Sequence, residues 1–162
     1  LVHARLVPGA ANSGLLVGKI KKIAVERNND CDLMLVDGPP GIGCPLISTV
    51  TGMDMVLVVT EPSVSGLHDL ARLIRVCRPL RVDMAVVINK CDLNIALSDS
   101  MYEFCRKADI PVKGEIPYDE SVMDAVRRGK PVTDYESPAA KAIHSLWDNI
   151  VSTYKEGAYA GK

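Results

Sequence analysis

Alternation of short apolar runs with helical segments predicts an α/β fold, doubly wound around a mostly parallel sheet. Three observations carry it. Leu33 to Val36, Met55 to Thr60, Met84 to Asn89 and Val112 to Ile116 are runs of strand length, rich in Val, Ile, Leu and Met. Segments of three-and-four period separate several of them, and each run ends in polar or Gly/Pro-rich text. In such a sheet the ligand site lies beyond the carboxyl ends of the strands.

In chain order, Ser13 to Arg27 reads as a helix through Leu16, Ile20, Ile23 and Ala24, with Lys19, Lys21 and Lys22 on its wet side and Ser13 as a plausible N-cap. Leu33 to Val36 then delivers Asp37 to a Gly38-Pro39-Pro40-Gly41 turn. A carboxylate placed so can hold a Mg²⁺ water, and the turn after it can follow a γ-phosphate; a simple turn-forming aspartate is the alternative. Met55 to Thr60 ends in Thr60-Glu61-Pro62, so a hydroxyl, a carboxylate and a helix start meet at one edge. From Ser65, the residues Leu67, Leu70, Ala71, Ile74 and Cys77 form an amphipathic crossover helix that Pro79 stops. His68 falls on that helix as a face residue, outside the site.

Met84 to Ile88 leads into Asn89-Lys90-Cys91-Asp92, the text of the base-reading N-K-x-D of guanine-nucleotide proteins. A carboxylate at Asp92 can accept the N1–H and exocyclic amine of guanine, whereas adenine carries an acceptor at N1. Asn89 suits either base, and both residues are also good caps for the helix that follows. Val112 to Ile116 leads into Pro117-Tyr118-Asp119, a turn able to flank a purine. Ser137-Pro138 pairs a cap with a first-turn proline. The apolar stripe Ala139, Ile143, Leu146, Trp147, Ile150 and Tyr154 follows and is expected to seal one sheet face, with Trp147 and Tyr154 as core or lid residues. Residues 1 to 154 are expected as one compact portion and Lys155 to Lys162 as a flexible tail.

Composition narrows the function classes. The 162 residues are 48% hydrophobic and 24% charged, enough for a packed core. Lys plus Arg number 19 against 20 Asp plus Glu, a net charge of -1 with no footprint for nucleic acid or an anionic membrane. The 5 cysteines, Cys31, Cys44, Cys77, Cys91 and Cys105, are odd in number and form no C-x-x-C pair, which argues against a disulfide scaffold or a self-contained metal site. Each is expected as a small packing residue, Cys44 included. A reduced, cytoplasmic setting follows, and no run reaches the about 18 apolar residues of a membrane span. The first residue is Leu1, suggesting a processed or partial chain, and no G-x-x-x-x-G-K-[ST] loop occurs.

Five ordered blocks, DGPPGIGCP from Asp37, TEPSVSGLHDL from Thr60, NKCDLN from Asn89, IPYD from Ile116 and GKPV from Gly129, resemble the MinD/ParA-type superfamily of P-loop ATPases. The likeness is greatest to the subgroup with an inserted ferredoxin domain and runs from about Val2 to Tyr154. Members of that subgroup begin with a phosphate loop bearing two lysines, then carry an insert for 4Fe-4S clusters; neither segment is in this sequence.

The resemblance implies that Asp37 organises Mg²⁺ and that Pro39, Pro40 and Gly41 form a switch-like turn at the γ-phosphate. It implies that Asn89 and the turn Pro117, Tyr118, Asp119 hold adenine, with Thr60, Glu61 and Asp92 nearby. ATP and Mg²⁺ are the implied cofactors, an ATP-gated homodimer and an iron-sulfur or redox protein the implied partners. Without the phosphate loop, residues 1 to 162 are expected to be inactive alone. In related sheets the missing first strand lies between the strand ending at Asp37 and the one ending at Thr60, so its loss would leave a central gap with apolar edges, either filled by another segment such as Val2 to Val7 or leaving the fragment unstable. Two rival readings are a GTPase of metallochaperone type, from N-K-x-D, and a non-catalytic assembly module.

Overall fold

The computed structural model describes residues 1–5, 13–27 and 31–160, with side chains described as far as Thr153. Helices α1 (Ser13–Arg27), α2 (Cys44–Val50), α3 (Val64–Cys77), α4 (Ile95–Ala108), α5 (Ser121–Arg127) and α6 (Pro138–Ala160) alternate with strands β1 (Met55–Thr60), β2 (Asp83–Asn89) and β3 (Val112–Ile116). The strands form one parallel sheet in the order β1-β2-β3. By compactness the chain divides into Leu1–Val56 with Ala71–Asp83, and Leu57–Leu70 with Met84–Lys162.

The second unit holds the centre of the sheet. Ala85, Val86, Val87 and Ile88 are all buried, as a middle parallel strand covered on both faces requires. β2 and β3 run in parallel register through Val87 opposite Gly114, Ile88 opposite Glu115 and Asn89 opposite Ile116, after an irregularity at Val86/Val87. α6 lies on β3, and a Cβ at Gly114 would stand 3.0 Å from Leu146 Cδ1. A glycine there lets the helix come down onto the strand. Ser137 caps α6 as expected, its Oγ accepting the Ala140 N–H at 3.2 Å. Ala139, Leu146 and Ile150 of the stripe are buried, but Trp147 is 43% exposed and so belongs to no core. The Tyr154 side chain lies outside the described residues. The helix continues through Ala160, across the segment expected as a tail from Lys155.

In the first unit, α1 packs on α2. α2 was not read from the sequence; its signal is Pro45 in the first turn after Gly43. α1 begins at Ser13 itself, so the expected cap position falls one residue earlier, outside the described residues. Lys21 is not on a wet face. Its Nζ donates to the carbonyls of Ser48 (3.3 Å), Thr49 (2.8 Å) and Thr51 (2.6 Å), closing the carboxyl end of α2. Burial pulls its pKa below the ordinary lysine value.

The fourth expected strand is absent. Leu33 to Val36 takes no strand assignment, and Leu35 is 82% exposed. Among the described residues no strand pairs with it, and a lone extended segment has no ladder to define it. Val2 to Arg5 forms no strand either, while Leu6 and Val7, named as gap-fillers, lie outside the described residues. β1 is correspondingly less covered than expected, with Val59 59% exposed. Cys77 and Cys105 are buried packing residues, but Cys31 and Cys44 are exposed; Cys44 opens α2 instead of filling a core.

Replacing Lys21 by Met removes the donors to the end of α2 and is expected to lower stability by about 1–3 kcal/mol, read by urea unfolding. An unchanged midpoint would mean that the lysine is a bystander.

Candidate functional site

Asp37 to Gly41 belong to the first unit and the ends of β1, β2 and β3 to the second. In the first, Asp37 is exposed and makes no hydrogen bond or ion pair among the described residues. Gly41 takes φ +86°, a left-handed conformation that a side chain resists. Pro39 is half-buried and Pro40 exposed. An unengaged carboxylate before a turn of restricted backbone fits the hard, oxygen-seeking Mg²⁺ that the sequence implies.

In the second unit, the strand ends are tied to one another. Glu61, just past β1, meets Lys90, just past β2, with Oε1 2.7 Å from Nζ. Lys90 adopts φ +53°, and its N–H donates to Asn89 Oδ1 at 3.1 Å. That bond orients the Asn89 amide and leaves its NH₂ group as the available donor. Beyond β2, the Cys91 N–H donates to the Ile116 carbonyl at 3.1 Å, and Asp92 Oδ1 accepts the Tyr118 N–H at 2.7 Å. Burial, then the charges of Glu115 and Asp92, push the Cys91 thiol up, which keeps it protonated.

Neither Asn89 nor Asp92 caps the next helix. Asn94 does, its Oδ1 accepting the Leu97 N–H at 3.1 Å.

Two further residues are committed to the fold. The Thr60 hydroxyl is buried and donates to the Gly66 carbonyl at 3.3 Å, while Ser63 Oγ caps α3 by accepting the Gly66 N–H at 2.9 Å. A side chain at Gly66 would collide with the Glu61 carbonyl oxygen. Asp119 divides its carboxylate, Oδ1 accepting the Ser121 N–H at 2.9 Å and Oδ2 the Ala139 N–H at 3.0 Å. The neighbouring Ser121 side chain and hydrogen bonds from the Ala139 and Ser121 amides hold this carboxyl well below the usual range. It thereby fastens the turn after β3 to the amino end of α6. His68 is an exposed helix-face residue beside Asp69, as expected.

Of the residues singled out in the sequence, Thr60, Glu61, Asp92 and Asp119 are thus engaged with protein groups. Asp37, the Asn89 NH₂ and the carbonyls of Pro117 and Tyr118 have no partner among the described residues. The Glu61–Lys90 pair was missed; opposite charges just past two neighbouring parallel strands were the only signal. An open depression of about 540 Å³, lined by Tyr102, Arg106, Pro111 and Val112 among others, lies at the opposite, amino end of β3.

Residues 13–151 match the ParA family described as NUBPL iron-transfer P-loop NTPase. The chain belongs to that family. An uncharacterised protein of Methanocaldococcus jannaschii is 31% identical over 93% of the chain and 50% of its own length. An iron-sulfur cluster carrier protein of Pyrococcus horikoshii is 26% identical over 77% of the chain and 47% of its own length. The chain spans about half the length of the curated relatives it matches. Among solved structures, the MinD cell division protein of Aquifex aeolicus superposes with TM-score 0.71 over 86% of the chain and 61% of its own length, at 22% identity. A Pyrococcus horikoshii MinD complexed with Mg-ADP gives 0.68 over 86% and 57%, at 21% identity. These likenesses bear out the parallel α/β fold, and among the described residues no helix is long and apolar enough to cross a membrane.

Asp119→Ala is expected to lower the melting temperature at pH 7. A depressed folded-state pKa contributes stability in full above the ordinary aspartate value of 3.8, and loses it as pH falls from there. The gap between variant and parent should therefore close below that pH; a constant gap would assign the loss to packing alone.

Proposed function

We propose that the chain is part of an ATP-hydrolysing switch of the iron-sulfur carrier kind, contributing the purine corner and the Mg²⁺ carboxylate. The observation that carries the reading is the corner after β2. Asn89 is oriented by its own neighbour to present a donor, beside the Pro117–Tyr118 carbonyls that can accept from the adenine amine. The family match and the iron-sulfur carrier relatives supply the context of use.

In this reading Asp37 holds a water of the Mg²⁺ that neutralises the phosphates, and Pro39 to Gly41 respond to the γ-phosphate. When bound, Mg²⁺ supplies charge neutralisation at the transferring phosphoryl group. Two copies meet through the nucleotide face when ATP is bound, and the dimer docks an iron-sulfur protein. Residues 1–162 hold no G-x-x-x-x-G-K-[ST] loop, so the lysine and amides of that loop come from elsewhere in the protein. The guanine reading of N-K-x-D loses force because one oxygen of the carboxylate it needs, Asp92 Oδ1, is taken by the Tyr118 N–H.

The test is competition binding and turnover on the complete reading frame. ATP is expected to outcompete GTP. Asn89→Ala should weaken ATP about tenfold, near 1.4 kcal/mol, and Asp37→Ala should cut Mg²⁺-dependent turnover by about 10²-fold or more. Residues 1–162 alone should show no turnover. Preference for GTP, or partner binding indifferent to any nucleotide, would overturn the proposal in favour of a GTPase or an assembly module.

A further inference from the structure

We infer that Asp92 is the residue that sets base selectivity, acting not by touching the base but by removing a donor from the corner that meets it. The inference rests on the purine-corner reading above.

Pro117 has no N–H, and the N–H of Tyr118 is taken by Asp92 Oδ1 at 2.7 Å in a short, charge-assisted bond. The two residues therefore present only carbonyl acceptors, neither of which receives a hydrogen bond from a described residue. The Asp119 N–H is the remaining donor of the turn. Adenine and guanine differ at their sixth position in the sense that matters here. Adenine has an amine that donates, and guanine has an oxygen that only accepts. The carbonyls satisfy the first and set like partial charge against the second, which has the Asn89 NH₂ and the Asp119 N–H but not the Tyr118 N–H as donors at this corner, so the taken donor tilts the preference toward adenine.

Asp92 is held where this can work. The Cys91 N–H bond to Ile116 fixes the residue before it, the Leu93 N–H bond to the Lys90 carbonyl the residue after it, and the Glu61–Lys90 pair the turn that precedes both. Asn94, not Asp92, serves α4, so the carboxylate has no capping duty to share.

The same residue in a guanine reader would have the opposite role, accepting directly from the base, and the two roles predict opposite responses. Kd values for ATP, GTP, inosine triphosphate and xanthosine triphosphate should be measured on the complete protein, with Asp92→Ala and Asp92→Asn beside the parent. Asp92→Ala frees the Tyr118 N–H. It is expected to tighten GTP relative to ATP by about tenfold, whereas Asp92→Asn, whose side-chain oxygen still accepts, keeps the parent's preference. Loss of GTP in Asp92→Ala, gain of xanthosine triphosphate in Asp92→Asn, or an unchanged ATP/GTP ratio in Asp92→Ala would overturn the inference.

If Asp92→Ala fails to fold, the parent alone decides. Inosine triphosphate shares the sixth-position oxygen of guanine without its second-position amine, so equal rejection of inosine and guanine nucleotides supports the inference. Acceptance of inosine triphosphate alone overturns it. A parent that binds no purine nucleotide fails the proposed function itself, an outcome separate from all of these.

Discussion

The turn that leaves β2 organises the carboxyl edge of the second unit. Lys90 takes a left-handed backbone there, and within four residues of it the chain makes contacts to both neighbouring strand ends: Lys90 to Glu61 after β1, Cys91 to Ile116 and Asp92 to Tyr118 after β3. Asp119 extends the same connection to the start of α6. Parallel strands hydrogen-bond along their length, but nothing in the ladder restrains the loops beyond it. Polar bonds between successive loops provide that restraint. They do so with exposed side chains, whose individual strength is modest, and the order of the edge comes from their adjacency.

The buried run Ala85 to Ile88 gives those loops a fixed base. Its side chains are covered on both faces, its register against β3 ends with Asn89 opposite Ile116, and α6 is seated on β3 at Gly114. Apolar packing thus sets where the edge lies, and the polar bonds set what each loop presents. Family membership agrees with a nucleotide as the ligand of such an edge, and under the proposed reading the bonds of this chain's corner select the base.

Much of this was legible in the sequence, for identifiable reasons. β1, β3 and nearly all of β2 are dense apolar runs bounded by abrupt polar or Gly/Pro text, so their limits could be read to the residue or close to it. Leu33 to Val36 has the same pattern, yet pattern reports only what a segment could pair with, not whether a partner is present. Lys21 was placed on a wet face because periodicity follows the helix axis, whereas the head of a long side chain goes where carbonyls are exposed. Asn89, Asp92 and Asn94 are all good caps within six residues; where α4 begins decided among them. The site residues were legible by type, but whether a carboxylate faces solvent or a neighbouring amide depends on the folded loops. Thr60, Asp92 and Asp119 show this directly.

Gly66 illustrates how little room the carboxyl edge leaves for drift. Its missing side chain is what allows the first turn of α3 to lie against the Glu61 carbonyl, with the Thr60 and Ser63 hydroxyls closing around it. Any heavier residue would push this loop outward and drag the Glu61 carboxylate from its cation. A change of one methyl group would thus be transmitted through the loops to the turn after β2, making this glycine a mechanical determinant of what the edge presents.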